Sequence, residues 1–103
     1  MIDEIALRRA ELATLCRRFH VRWLDLFGSA ARGDFNRAKS DLDFLVEFDR
    51  GHPQAASLKT FFGFKDALEQ LFGRPVDLVE PTALRNPYLK ASIERSREPV
   101  FAA

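Results

Sequence analysis

The segment Ser40–Phe48, SDLDFLVEF, carries an apolar side chain at every second position, Leu42, Phe44, Val46 and Phe48, with Asp41 and Asp43 in the alternate places. Side chains alternate across a strand, so this pattern predicts a strand over Leu42–Phe48 with one face in a core and the carboxylates of Asp41 and Asp43 on the other. Two further short runs have the same character: Val21–Phe27 (VRWLDLF), ended by Gly28, and Val76–Val79, which follows Gly73 and Pro75. In the first, Leu24 and Leu26 belong with the core and turn Asp25 outward. In the last, Val76 and Leu78 do so and turn Asp77 outward. Three strands thus place acids away from the core, and Asp41, Asp43 and Asp77 form one expected cluster.

Helical periodicity fills the intervals. From Ile2 to Phe19, Ile5, Leu12, Cys16 and Phe19 share one face and Glu4, Glu11 and Arg18 the other. Ala55–Phe72 has a broad apolar arc with Phe62 at its margin and Lys65 within it, a helical turn is expected at Ala30–Arg32, and Asn86-Pro87 opens a last helix to about Ser96. Alternating helices and strands predict an α/β (α+β) layer of three strands with helices on one face. At 103 residues, with no repeat or linker, the chain is expected to form one domain over residues 1–103. A domain this small has little room for a deep pocket of its own, so a large ligand or partner must share the site.

Charge excludes some functions. Sixteen Lys and Arg against fifteen Asp and Glu leave a net +1, so no basic field or groove supports direct nucleic-acid binding or template-directed synthesis. The single cysteine, Cys16, reads as a small buried hydrophobe and points to a reducing compartment. No apolar run approaches the roughly 20 residues of a membrane span, so the expected location is cytoplasmic. His20 and His52 are assigned no role.

Carboxylates about 4 Å apart repel by about 4 kcal/mol at an effective dielectric of 20, so a convergent cluster needs a cation or raised pKa values. Oxygen donors, without cysteine or suitably spaced histidine, select magnesium or manganese over zinc. An Asp-x-Asp pair alone is more often simply solvated. Upstream, however, LFGSAARG places Gly28-Ser29 between a strand and a helical turn, where unpaired N–H groups, a glycine and a hydroxyl can cradle phosphate. Arg32 can meet triphosphate charge or be solvated.

GSAARG, SDLDFLVEF and GRPVDLVE together resemble the minimal nucleotidyltransferases of the DNA polymerase beta superfamily, and specifically the antitoxins paired with HEPN-domain toxins. The likeness runs from about Val21 to Val100. It implies a polymerase-beta-like fold with a small mixed three-stranded sheet. It also implies phosphate contacts from Gly28 and Ser29, and divalent metal (Mg2+, or Mn2+) on the catalytic Asp41, Asp43 and Asp77. The resemblance implies ATP as donor, AMP transferred to a tyrosine hydroxyl of the toxin, and a hetero-oligomer with that toxin. The loop Asp34–Lys39 is more basic than the family pattern, which leaves nucleotide contacts by Arg37 and Lys39 open. The toxin is expected to dock on surfaces such as the Phe62 margin or the C-terminal PVFAA tail. Two other readings compete: an antitoxin that only masks its toxin, with the ten phenylalanines and the marginal Phe62 as a sticky patch, and a small-molecule nucleotidyltransferase of the aminoglycoside-modifying kind.

Overall fold

The computed structural model describes residues 3–32, 41–51 and 57–103. The N-terminal helical pattern forms two pieces, α1 (Asp3–Leu7) and α2 (Arg9–Arg18), where one continuous helix was expected. The break falls at Arg8, whose N–H donates to the Ile5 carbonyl (3.2 Å) and whose guanidinium reaches Glu11 (3.2 Å). Buried Ile5, Leu12 and Cys16 continue one apolar stripe across it.

The three strands take the bounds expected of them: β1 (Val21–Phe27), β2 (Leu42–Phe48) and β3 (Val76–Val79). Between β1 and β2 lies the short α3 (Ser29–Arg32). Between β2 and β3, α4 (Leu58–Phe72) starts at Ser57, whose hydroxyl accepts from the Thr60 N–H (3.1 Å), and ends at Gly73. Ala55 and Ala56, the expected first residues of this helix, lie outside the described residues. After β3 a 3-10 turn (Pro81–Ala83) leads to α5 (Pro87–Ser96), capped by the Asn86 side chain, which accepts from the Tyr88 and Leu89 N–H groups.

A fourth strand, β4 (Glu98–Ala102), was not foreseen. The PVFAA segment is therefore not an apolar tail: Val100 and Phe101 are buried, Phe101 pairs with Leu24 and Pro99 with Asp25 of β1, and Val100 falls at the irregularity between them. The sheet order is β3-β2-β1-β4, with β2 and β3 parallel and the other pairs antiparallel. A parallel pair needs a crossover, and α4 supplies it.

Leu24, Leu26, Leu42, Phe44, Val46, Val76, Leu78 and Val100 face α1, α2 and α4, where Phe64 and Leu68 complete the main core. The opposite face is covered too, contrary to the expectation of helices on one side. There Phe27 and Leu45 pack against Ile93 of α5, flanked by Trp23, Val79 and Leu84. One carboxylate ties the crossover helix to the sheet: Glu69 Oε2 accepts from the Val76 N–H (3.0 Å) and lies 3.5 Å from Lys65 Nζ. The Val76 hydrogen bond and then the Lys65 charge outweigh desolvation and hold its pKa below the usual carboxylate value.

Candidate active site

The acidic face meets the end of β1 at one place. Phe27 and Asp43 are partners across the β1–β2 ladder, so the next residue, Gly28, lies beside the Asp43 side chain. Gly28 has φ +73, a left-handed conformation that L side chains rarely adopt. A Cβ there would also lie 3.0 Å from Asp43 Cγ and run into Oδ2. Backbone and space each demand glycine. Its carbonyl accepts from the Ala31 N–H (3.2 Å), which turns the chain into α3 and sets Ser29 at the first position.

On the other side of Asp43, the parallel ladder makes Asp77 its partner. Adjacent strands lie about 4.8 Å apart, so these two carboxylates spring from neighbouring backbone positions on one face. Asp41 lies two residues upstream of Asp43, just before β2, and is exposed, as is Asp77; Asp43 is half-buried. The order across the site is thus the Gly28–Ser29 turn, Asp43, then Asp77. As the side chains stand, no three His, Cys, Asp or Glu among the described residues converge into an ion-holding group. The donors nonetheless suit a hard divalent cation, since all are carboxylate oxygens on one face and Gly28 leaves room at Asp43.

A cleft of about 300 Å³ opens over Gly28, Ser29 and Asp43, and its far wall is α5, through Leu89, Ser92 and Ser96. Sequence reasoning found this helix but not its part in the site, because periodicity shows a helix without showing what it faces. Larger hollows occur elsewhere, about 420 Å³ beside Glu47 and Glu80 and about 630 Å³ between α2 and α4, but neither is lined by Gly28, Ser29, Asp41, Asp43 or Asp77. The chemistry selects the smaller cleft. Arg32 falls in α3, and Arg37, Lys39 and His52 lie outside the described residues.

Asp25 shares the acidic face but not the cluster. It is only 7% exposed, because Arg97, just after α5, covers it with a 2.6 Å Nε to Oδ2 hydrogen bond. Arg97 also bonds Glu94 (2.6 Å) and lies 5.0 Å from the Trp23 ring centre, while Trp23 Nε1 donates to Glu47 (3.0 Å). Burial disfavours the guanidinium charge, but hydrogen bonds and charges from Asp25 and Glu94 prevail and raise its pKa. This network, with Ile93 below it, fixes the wall of the cleft to the sheet.

The nucleotidyltransferase-domain family model matches residues 10–100. Protein adenylyltransferase MntA of Thermococcus cleftensis is 35% identical over 101 residues, covering 97% of this chain and 94% of that one. A solved structure provisionally named a minimal nucleotidyltransferase superposes with TM-score 0.72 and 38% identity, over 95% of this chain and 96% of the other. A chain from the complex of a tri-AMPylated Shewanella oneidensis HEPN toxin with its MNT antitoxin shares the fold, with TM-score 0.64 and 16% identity over 96% of this chain and 73% of that one. With the domain model matched over most of its length, the chain belongs to the nucleotidyltransferase-domain family and is a nucleotidyltransferase.

Proposed function

We propose that residues 1–103 act as one domain, a cytoplasmic antitoxin that transfers AMP from ATP to a tyrosine hydroxyl of a HEPN-domain ribonuclease toxin. The observation that carries this reading is the seating of Asp43 between a glycine that admits phosphate and an in-register Asp77. The name of the Thermococcus relative and the AMPylated toxin in the Shewanella complex support a protein acceptor and a HEPN-domain partner. The described helices include none long and apolar enough to cross a membrane.

Each residue has a role. The Gly28–Ser29 turn holds phosphate oxygens by backbone N–H groups and the Ser29 hydroxyl, and Arg32 meets triphosphate charge. Asp41, Asp43 and Asp77 would hold magnesium or manganese, which when bound neutralises the triphosphate and the leaving oxygen. The tyrosine oxygen attacks the α-phosphorus, the bond from that phosphorus to the bridging oxygen breaks, and pyrophosphate leaves. Asp77, on the side of Asp43 away from the phosphate turn, takes the phenolic proton as the new bond forms.

Purified toxin, ATP, magnesium and this chain should give toxin heavier by whole AMP units. Ribonuclease activity should stay silenced after the antitoxin is removed, and only when ATP and an intact Asp77 were present. Asp77→Ala should still bind the toxin yet fail to modify it. Full recovery of the ribonuclease after removal would refute covalent transfer and leave masking as the mode of action.

A further inference from the structure

The cleft over Asp43 has two unlike walls. One is the turn at the end of β1, proposed to hold phosphate. The other is α5, which turns Leu89, Ser92, Ile93 and Ser96 toward the cleft from one helical face. This helix brings no charge there, since Lys90, Glu94 and Arg95 are exposed and line none of it. It brings no free N–H group either. The Asn86 side chain accepts from Tyr88 (2.9 Å) and Leu89 (3.3 Å), the Asn86 carbonyl accepts from Lys90 (3.1 Å), and the later N–H groups bond within the helix. A phosphate would find neither cation nor N–H donor on this wall. What α5 does offer is hydroxyl and carbon. Ser96 Oγ donates to the Ser92 carbonyl (3.1 Å), whereas the half-buried Ser92 hydroxyl makes no hydrogen bond among the described residues. A helix face laid on a sheet is normally apolar, so a serine in this place leaves space and a hydroxyl that water or a ligand must satisfy. The wall is also fixed in position, by buried Ile93 and by the 2.6 Å hydrogen bond from Arg97 to Asp25.

We infer that Ser92 is a specificity-determining residue for the donor nucleotide: its hydroxyl hydrogen-bonds a ribose hydroxyl, with Leu89 against the sugar ring. In a nucleoside triphosphate the sugar is the neutral, hydroxyl-bearing group, and a single oxygen joins it to the α-phosphate. It must therefore lie beside the carboxylates that serve that phosphate, and α5 is the wall that faces Asp43 with groups of matching chemistry. A site built to hydrogen-bond a substrate hydroxyl rejects the analogue that lacks it. Asp77 does not line this cleft, which leaves the far side of Asp43 to the acceptor. The inference rests on the proposed function for the place of the triphosphate, and not for the identity of the acceptor.

The test is calorimetric titration, with magnesium, of wild type and Ser92→Ala against ATP, its 2′-deoxy and 3′-deoxy analogues, and inorganic tripolyphosphate. Alanine is the best helix former, so the variant should keep α5, and an unchanged melting temperature checks this. Wild type should bind ATP about fivefold more tightly than one of the deoxy analogues, the effect of one neutral hydrogen bond. Ser92→Ala should lose about the same factor for ATP, show no preference between ATP and that analogue, and bind tripolyphosphate within about twofold of wild type. A wild type that binds all three nucleotides alike, or a variant that keeps the preference, would overturn the inference and leave the proposed function standing. An equal loss for tripolyphosphate would overturn it too, because the hydroxyl would then serve phosphate. A wild type that shows the Ser92-dependent preference but never modifies a HEPN-domain toxin would refute the proposed function alone, and one that binds no ATP would refute both.

Discussion

Replacing Gly28 by alanine tests whether the phosphate turn and Asp43 are one unit. A left-handed backbone costs an L-residue roughly 1–2 kcal/mol. The new Cβ, 3.0 Å from Asp43 Cγ, also drives the carboxylate off its rotamer, which costs about 0.5–1.5 kcal/mol more. The sum, roughly 1.5–3.5 kcal/mol, should lower Tm by roughly 6–28 °C in a domain of this length. In an Asp43→Ala background most of the steric part disappears, so the two substitutions should couple by about 1 kcal/mol. Thermal melts followed by circular dichroism give the four corners of this cycle. Transfer should fall at least about a hundredfold in Gly28→Ala, because a displacement near 1 Å at a reacting centre is enough to do so. Equal Tm losses in both backgrounds, or transfer at the wild-type rate, would refute the close packing of turn and carboxylate.

Asp43→Asn should leave the far-UV spectrum unchanged and cut transfer by at least about a hundredfold; activity retained by the purified protein would end the assignment of Asp43 to metal. Glu69 has a lowered folded pKa, so its contribution to stability is complete above the unfolded value near 4.5 and is lost as pH falls through the folded value. Glu69→Gln should therefore flatten the fall in Tm between about pH 5 and pH 3, and an unchanged slope would count against the Val76 contact. Arg97→Ala leaves Asp25 buried without its partner and should cost about 2–3 kcal/mol, below the range for a fully buried pair since Arg97 is part-exposed; Asp25→Leu/Arg97→Met should recover most of that loss in denaturant titrations. Burial pushes the Cys16 thiol up to about 12, against the smaller opposing charge of Arg17. Native protein at pH 8 should resist alkylation that denatured protein undergoes within minutes, and fast native labelling would mean the core around Cys16 opens readily.

The three strands were legible because alternation and a terminating Gly or Pro are local signals: Leu42, Phe44 and Val46 mark their face without knowledge of any partner. β4 was not, since Glu98-Pro99 looks unlike a strand and owes its conformation to β1, far away in sequence. Pro99 is tolerated because β4 forms an edge. That Asp43 and Asp77 share a face followed from strand parity, but their pairing in register did not, since parity says nothing of strand offset; nor did the part of α5 in the cleft, because it depends on Ile93 meeting Phe27 and Leu45. Asp25 was assigned to the correct face and yet is no member of the acid cluster: Arg97 covers it, and a contact between residues so distant leaves no trace in local pattern. The break at Arg8 was invisible because the apolar stripe runs straight through it.

The two halves of the site differ in how the chain comes to make them. Gly28 meets Asp43 across an antiparallel pair of strands close in sequence, whereas Asp77 reaches Asp43 only after α4 has crossed over and docked. Closing the longer loop costs more entropy, so the β1–β2 pair is expected to form first and the parallel pair later. An immature chain would then have the turn proposed to hold phosphate and lack the acid proposed to serve the acceptor. Unfolding should run in reverse, with the junction held by Glu69 and Val76 opening before β1 parts from β2. Loss of transfer would thus precede loss of the sheet, and the enzyme would fall silent while most of its amide protons were still protected from exchange.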